Sequence, residues 1–159
     1  QGADVVKIEP IGGEESRRAG PFRPEDELRA FGGYFASVNR NKRSMSLDLK
    51  SPQAVEIVLR LVDTADVVIE NYRAGVMDRL GLSYETLRAR NPKIVYPAIR
   101  GFGDPRTGRS PRGDWPAFDV VAQAMGGLMQ INGPDAEIPL ANTTLGSGTG
   151  QVDADDFLL

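Results

Sequence analysis

The sequence predicts an α/β domain in which a mostly parallel β-sheet is flanked by helices. Short runs rich in β-branched residues alternate along the chain with amphipathic stretches of helical period, and no internal repeat is present. A β-α-β-α order favours parallel strands joined by right-handed crossovers, so this alternation indicates such a sheet. With 159 residues, the chain is long enough to bury one hydrophobic core.

The first part of the chain contains two predicted strands. The run ADVVKIE (3–9) lies between Gly2 and Pro10, and this composition is typical of a strand. A loop rich in charge, glycine and proline follows it, through about Gly33. The run SMSLDLK (44–50) alternates apolar and polar residues, as expected for a half-exposed strand.

A helix is predicted directly after the second strand. Ser51 is a good N-cap, and Pro52 occupies the first helical position, where its missing N–H costs nothing. Apolar residues share one face of this helix, and charged residues share the opposite face. The two sets are Val55, Val58, Leu59 and Val62, and Glu56, Arg60 and Asp63.

The next elements repeat the alternation of strand and helix. DVVIE (66–70) is almost wholly apolar, which predicts a strand of the buried parallel type. A brief helix at about 75–80 is expected to stop at Gly81. Ser83 is expected to cap a further helix, and the pair Asn91 and Pro92 is expected to end it.

Two more elements complete the prediction. KIVYPAI (93–99) is predicted as a strand weakened by Pro97, which indicates an edge or a bulge. Residues 118–131 are predicted as a helix. Ligands of open parallel sheets bind beyond the carboxyl ends of the strands. A site is therefore expected where three strand ends meet, at these pairs: Glu9 and Pro10, Asn71 and Tyr72, and Arg100 and Gly101.

The composition argues against several classes of function. The net charge of −3 argues against nucleic-acid binding, and no apolar run is long enough to span a membrane. Cysteine is absent, which fits a reducing, cytoplasmic location. Histidine is absent as well, so acid–base chemistry within these residues falls to carboxylates, lysine or tyrosine.

Three polar segments are candidates for ligand binding. The basic turn at 39–44 and Lys50 could bind phosphate, but charged residues usually lie in water and a structural role is favoured. The segment 70–82 offers Asn71, Tyr72 and Arg79 after a strand, and it is equally consistent with a site or with ordinary capping. The segment 100–104 is interpreted as a structural turn.

The end of the chain contains a glycine-rich segment followed by acidic residues. Its glycines follow a G-x-G-x-G spacing after a poor strand, which disfavours a dinucleotide loop of the G-x-G-x-x-G type. The acidic residues lack the pattern of a calcium loop, so no metal site is expected. They are interpreted as an exposed acidic end of the chain. These residues are Gly146, Gly148 and Gly150, and Asp153, Asp155 and Asp156.

Taken together, four blocks of the sequence resemble the class III CoA-transferases. They are GADVVKIEP, NRNKRSMSLDLK, the segment from ADVVIENYRAG to AIRGFG, and FDVVAQAMGG, in the family's order and spacing, and the similarity covers most of residues 2–147. The resemblance implies a Rossmann-like domain and an interlocked homodimer. Residues 1–150 would be part of the large domain, without its first strand–helix unit or the small domain, and 151–159 an acidic tail that does not match the family.

The resemblance also implies which residues bind coenzyme A. Lys50 and Arg79 would supply charge for its phosphates, and Tyr72 and Leu80 a wall for its base. Pro10 and Pro116 stand where formyl-CoA transferase has basic residues that contact CoA, so the anion contacts are expected to be fewer or rearranged. The full predicted set is Leu47, Lys50, Asn71, Tyr72, Val76, Arg79 and Leu80.

The chemistry implied by the family is transfer of CoA between an acyl-CoA and a small carboxylic acid, without a metal. A nucleophilic aspartate would form an aspartyl-CoA thioester, and it is expected at or next to Ser147, which here follows Leu145 and Gly146. One alternative is an acyl-CoA racemase, disfavoured because its histidine would fall near Phe118. The other is a non-catalytic or nicotinamide-binding α/β module. The isolated chain is expected to be marginally stable or unfolded, since an edge of its sheet would be exposed.

Overall fold

The computed structural model describes residues 2–127, which form two compact units. The first unit contains the residues up to Glu70 together with Gly75–Pro97. The second contains Asn71–Ala74 and the residues from Ala98 onward. Helices and parallel-paired strands alternate along the chain, so the predicted α/β class is confirmed.

Two short strands, β1 (Val6–Glu9) and β2 (Arg43–Ser46), pair in parallel, with Val6 opposite Arg43 and Glu9 opposite Ser46. The ladder starts where the Arg43 N–H donates to the carbonyl of Val5 at 2.9 Å, and it ends where the Leu47 N–H donates to the carbonyl of Glu9 at 2.9 Å. Both strands are shorter than predicted. β1 begins at Val6 instead of residue 3, and β2 ends at Ser46 because the chain turns away after Leu47.

The crossover between β1 and β2 is more ordered than the predicted loop. It contains a 3₁₀ helix (Glu15–Arg18) and the helix α1 (Gly33–Val38), whose Phe35 is buried. The two are linked by a hydrogen bond from the Gly32 N–H to the Arg17 carbonyl at 2.8 Å. An added Cβ at Gly32 would lie 1.9 Å from the carbonyl oxygen of Ala19, so this close approach requires glycine.

The helix α2 (Pro52–Val62) buries Ala54, Val58 and Val62, and its charged face is exposed as predicted. The helix α4 (Tyr84–Arg90) packs against it and buries Leu87. The Asn91 side-chain amide donates to the carbonyls of Val62 and Ala65 at 2.9 and 2.8 Å, which ties the end of α4 to the end of α2. The predicted helix end at Asn91 is therefore confirmed.

Along the chain, the short helix α3 (Val76–Arg79) comes between α2 and α4. It is followed by Gly81 at φ +74°, a left-handed conformation that favours glycine, as expected for a residue that stops a helix. Ser83 then caps α4, because its Oγ accepts from the Thr86 N–H at 3.2 Å. Both predictions are confirmed.

The segments predicted as strands at 66–70 and 93–99 lie side by side but do not form regular strands. Val67 and Val95 form a parallel bridge, and the Val68 N–H donates to the Val95 carbonyl at 2.9 Å. Val67 and Ile69 are 47% and 43% exposed, so the predicted burial is wrong. The physical reason is that burial on both faces needs neighbouring strands and two helical layers, and among residues 2–127 these segments pair with each other alone.

The last described helix is α5 (Asp119–Met125). It begins after Phe118, as predicted, and it ends earlier than the predicted 131 because Gly126 and Gly127 follow, the latter at φ +78°. Residues 128–131 lie outside the described part. No helix within residues 2–127 has the length and apolar character that a membrane crossing needs.

Candidate functional site

The first predicted strand end presents Glu9, and its carboxylate is used within the protein. The side chain is only 2% exposed. Arg17 donates to it through two nitrogens, from Nε to Oε2 at 2.6 Å and from Nη2 to Oε1 at 2.7 Å. The Ser44 hydroxyl donates to Oε1 at 2.7 Å and the Glu14 N–H to Oε2 at 3.2 Å. Glu9 is therefore not available to a ligand at this edge.

The contacts of Glu9 set its ionisation. The hydrogen bond from Arg17 is the main cause that lowers the pKa of Glu9 to about 2, and burial opposes it. The same pairing raises the pKa of Arg17. The Arg17 guanidinium also lies over the ring of Phe35, 4.1 Å from its centroid. Arg17 thus links the crossover to β1 by charge and to α1 by an aromatic contact.

A second buried ion pair lies beside the first. The Lys7 ammonium donates to Glu14 Oε2 at 2.7 Å, with both side chains almost fully buried. We call Lys7, Glu9, Glu14 and Arg17 the buried charge cluster. It fastens the start of the crossover to β1, and it is not among the features predicted from the sequence. The available signal was charge complementarity, because Lys7 and Glu9 lie on a strand and their partners of opposite charge follow within eight residues.

Two of the predicted CoA-binding residues follow β2. Leu47 is half-buried and Lys50 is exposed. Leu47 precedes a turn that contains Lys50. In this turn the Ser51 N–H donates to the carbonyl of Asp48 at 2.9 Å, and the Lys50 N–H donates to the Asp48 carboxylate at 3.0 Å. This turn leaves the Lys50 side chain in solvent at the carboxyl end of the strand.

Three further predicted residues are on or next to α3. Val76 and Leu80 are half-buried and Arg79 is exposed. An added Cβ at Gly75 would lie 3.4 Å from Arg79 Nη1, so the guanidinium lies close to the turn that begins α3. Gly75 itself has φ +80°, which gives that turn its sharp entry. The arrangement places one exposed cation, Arg79, beside the half-buried Gly75.

The remaining two predicted residues, Asn71 and Tyr72, are half-buried and belong to the second unit. The structure thus places five of the seven residues in the first unit and these two in the second. The five in the first unit are Leu47, Lys50, Val76, Arg79 and Leu80.

The basic turn before β2 has structural contacts, which fits the interpretation favoured from sequence. Arg43 pairs with Asp4 at 2.8 Å, and Lys42 Nζ donates to Asn39 Oδ1 at 3.0 Å. Burial, together with the nearby charge of Lys7, lowers the pKa of Lys42.

Asp104, in the second unit, holds the turn that follows it. Arg106 donates to its carboxylate from Nε and Nη2, both at 3.0 Å, and from its own N–H at 2.9 Å. Arg100 lies 3.4 Å from the same carboxylate. The hydrogen bond from Arg106 is the main cause that lowers the pKa of Asp104 to about 2. The interpretation of 100–104 as a structural turn fits these contacts.

Several predictions concern the end of the chain and lie outside the described residues. They are the position of the nucleophile at or next to Ser147, the three glycines at 146, 148 and 150, and the acidic tail at 151–159. Within residues 2–127, no three carboxylate, histidine or cysteine side chains are grouped so that they could hold a metal ion.

Comparison with known proteins gives a family match over nearly the whole chain. The model of CoA-transferase family III matches residues 1–149. Succinyl-CoA:mesaconate CoA-transferase from Haloarcula hispanica is 50% identical over 151 residues, which are 95% of this chain and 37% of the relative. Succinate–glutarate CoA-transferase from Agrobacterium fabrum is 44% identical over 140 residues, which are 86% of this chain and 34% of the relative.

A solved structure agrees with these matches. The crystal structure of a CaiB/BaiF family protein from Brucella suis superimposes with a TM-score of 0.77 and 40% identity, over 87% of this chain and 36% of that chain. The chain therefore spans little more than a third of the length of the relatives that it matches.

Proposed function

The chain belongs to CoA-transferase family III, and from this premise we propose that the complete protein moves CoA between an acyl-CoA and a carboxylic acid. The observation that carries the proposal is the family match over residues 1–149, together with close relatives that are CoA-transferases by name. The resemblance predicted from the sequence is confirmed at the level of the family.

The exposed cations of the first unit support binding of CoA. The nucleotide end of CoA carries several negative charges. Lys50 and Arg79 are exposed, positively charged side chains, and they lie at the turn that follows β2 and at the turn that begins α3. The half-buried apolar side chains beside them, Leu47, Val76 and Leu80, suit the uncharged parts of the ligand. Asn71 and Tyr72 complete the proposed set of contacts.

The proposed reaction proceeds in two halves. An aspartate carboxylate attacks the thioester carbonyl, the C–S bond breaks, and CoA leaves as a thiolate from a mixed anhydride. The thiolate then attacks the aspartyl carbonyl, which releases the donor acid and leaves an aspartyl-CoA thioester. The acceptor acid runs both steps in reverse, so that the new acyl-CoA forms and the aspartate is regenerated.

The carboxylate for this route is proposed at or next to Ser147. The sequence has Leu145, Gly146 and Ser147 where the family motif has Leu-Gly-Asp. Sequencing the gene across the codons for residues 140–159, with an intact mass of the protein, tests the assignment. An aspartate after Gly146 would identify the nucleophile, whereas confirmation of Ser147 would contradict the aspartyl route.

The names of the relatives suggest the acid substrates. The relatives from Haloarcula and Agrobacterium are named for succinyl-CoA with mesaconate and for succinate with glutarate, which are dicarboxylic acids. We therefore propose short dicarboxylic acids as donor and acceptor. The test is to incubate the protein expressed from its complete gene with succinyl-CoA and mesaconate and to separate the CoA esters by chromatography. Appearance of a new CoA ester only when the acid is present is the expected result.

A thermal-shift comparison separates this proposal from its alternatives. CoA is expected to raise the melting temperature of the complete protein, and NAD is not. A shift with NAD alone would favour the nicotinamide-binding module. Exchange of the α-proton of a branched acyl-CoA with solvent deuterium would favour the racemase, although Phe118 stands near its histidine position.

The assembly, the location and the domain division are also proposals. We propose that residues 1–150 are part of the large domain of an interlocked, cytoplasmic homodimer, and that 151–159 are a tail outside the family pattern. Light scattering coupled to size-exclusion chromatography of the complete protein gives its oligomeric state. A monomeric mass would contradict the dimer.

A further inference from the structure

Lys42 lies in the turn that leads into β2, and its amine has no counter-charge there. The side chain is half-buried, whereas its neighbours Asn41 and Arg43 are exposed, so the turn is open to solvent. Lys42 Nζ donates to Asn39 Oδ1 at 3.0 Å, and this side-chain amide is a neutral acceptor. Within residues 2–127 the amine of Lys42 forms no ion pair. Its charged form is therefore partly withdrawn from water without compensation by a carboxylate.

The carboxylate that acts on Lys42 from the crossover is already engaged. Glu14 Oε2 accepts from the Lys7 ammonium at 2.7 Å, and the Ser16 hydroxyl donates to Oε1 of the same carboxylate. Lys7 on β1 is buried, and its positive charge acts on Lys42 as well. Two lysines thus lie in the field of one glutamate, and Lys7 holds the ion pair with it.

This setting favours the neutral form of the Lys42 amine. Burial is the main cause that lowers the pKa of Lys42, the charge of Lys7 lowers it further, and the charge of Glu14 opposes both. A neutral amine has a free electron pair and is a nucleophile, whereas an ammonium is not. The other lysines differ in setting, since Lys7 is ion-paired and Lys50 and Lys93 are exposed to water.

A thioester is an electrophile that a nucleophilic amine attacks, and we propose that Lys42 is a site of covalent acylation by acyl-CoA. The neutral nitrogen attacks the thioester carbonyl, a C–N bond forms, and the C–S bond breaks. CoA leaves as a thiolate, which takes up the proton released by the nitrogen, and an amide remains on Lys42. With a dicarboxylic acyl group, the positive charge of the side chain is exchanged for a negative one. The supply of acyl-CoA at this protein rests on the proposed CoA-transferase function.

The test compares the acylation rates of individual lysines in the complete protein. The folded protein is incubated with succinyl-CoA at neutral pH, then unfolded, and the remaining amines are capped with isotopically heavy succinic anhydride. Mass spectrometry of the peptides gives the ratio of light to heavy label at each lysine. Lys42 is expected to react at least about threefold faster than the exposed Lys93. In protein unfolded before the incubation this difference is expected to vanish, because burial and the charge of Lys7 are lost.

Variants test the physical cause of the reactivity. Lys7→Gln removes the like charge and frees Glu14 to pair with Lys42, so acylation of Lys42 is expected to slow about threefold. Arg40→Gln removes an exposed cation from the same turn, and it is expected to leave the rate unchanged. Thermal melts control for folding. If Lys7→Gln does not fold, the pH dependence of the wild type replaces it. The ratio of the Lys42 rate to the Lys93 rate is expected to fall as the pH rises and both amines become neutral.

Equal rates at Lys42 and Lys93 in the folded protein would overturn the proposal. A preference for Lys42 that persists in the unfolded protein would do so too, because it would belong to the local sequence. Acetic anhydride, which needs no recognition of CoA, is the parallel probe. If it selects Lys42 while succinyl-CoA leaves Lys42 unmodified, the assignment to acyl-CoA is wrong. If both reagents select Lys42 but the protein transfers no CoA, the proposed function is wrong and the acylation site stands.

Discussion

The carboxylate of Glu9 and the guanidinium of Arg17 form a two-point contact inside the first unit, and its loss has a predictable cost. Glu9→Gln keeps the shape but leaves Arg17 without its counter-charge in a mostly buried position. We expect the free energy of unfolding at pH 7 to fall by about 3 kcal/mol, measured by chemical denaturation of the complete protein. The matched control is Glu15→Gln, whose partner Arg18 is exposed, and it should change stability by less than about 0.5 kcal/mol. Equal effects of the two changes would contradict the role of the cluster.

The same residue gives a prediction for pH. The pKa of Glu9 is depressed from 4.5 to about 2 by Arg17, so its stabilisation is complete above pH 4.5 and is lost as the pH falls towards 2. The free energy of unfolding of the wild type should therefore decline over this window. In Glu9→Gln the free energy of unfolding should decline less steeply over this window. The contribution of Asp104 to the decline should remain, because the pKa of Asp104 is also about 2. Parallel curves for the two proteins would show that Glu9 does not titrate as predicted.

The proposed contacts to CoA are also tested by single substitutions. Lys50→Ala and Arg79→Ala remove exposed charges at the two turns of the first unit, and each should raise the KM for acyl-CoA about tenfold with little change in kcat. Steady-state kinetics of the complete protein measures this split. Arg88→Ala, an exposed arginine on α4, is the control. A KM unchanged in both test variants would remove these residues from the proposed site.

At the scale of the elements, two serines at helix N-termini provide a matched pair. Ser83 caps α4 by accepting from the Thr86 N–H, whereas the Ser51 hydroxyl donates to the Gln53 side chain and does not cap α2. We expect Ser83→Ala to destabilise the protein by about 1 kcal/mol and Ser51→Ala by clearly less. Denaturant unfolding of both variants measures the difference. The reverse order would show that the cap at Ser83 is not formed in solution.

At the scale of the whole molecule, the exposed apolar residues bear on stability. Val67, Ile69 and Val95 are exposed on a two-segment pair, and such surface is usually covered in parallel sheets. We expect the isolated 159-residue chain to unfold without a cooperative transition and to bind a hydrophobic dye. Circular dichroism and dye fluorescence measure both properties. A sharp cooperative transition of a monomer would contradict the expectation of marginal stability.

Local rules explain most of the correct sequence predictions. Ser83 and Gly81 act within a few residues of their own positions, so their roles could be read without the fold. The order of the elements likewise depends on hydrophobic period alone. The lengths of β1 and β2 were overestimated, because a ladder ends where its partner turns away, and composition does not report that turn.

The sequence by itself determined the class of fold, the family and the list of candidate ligand residues, because hydrophobic period and ordered motifs are properties of the chain. Only the tertiary structure decided how the charges and rings are used. It buried Glu9 and paired it with Arg17, placed Arg17 over the ring of Phe35, and exposed Val67. The physical reason is that ionic and aromatic contacts depend on which distant residues meet, and the meeting of Glu9 with Ser44, or of Arg17 with Phe35, is set by the path of the folded chain.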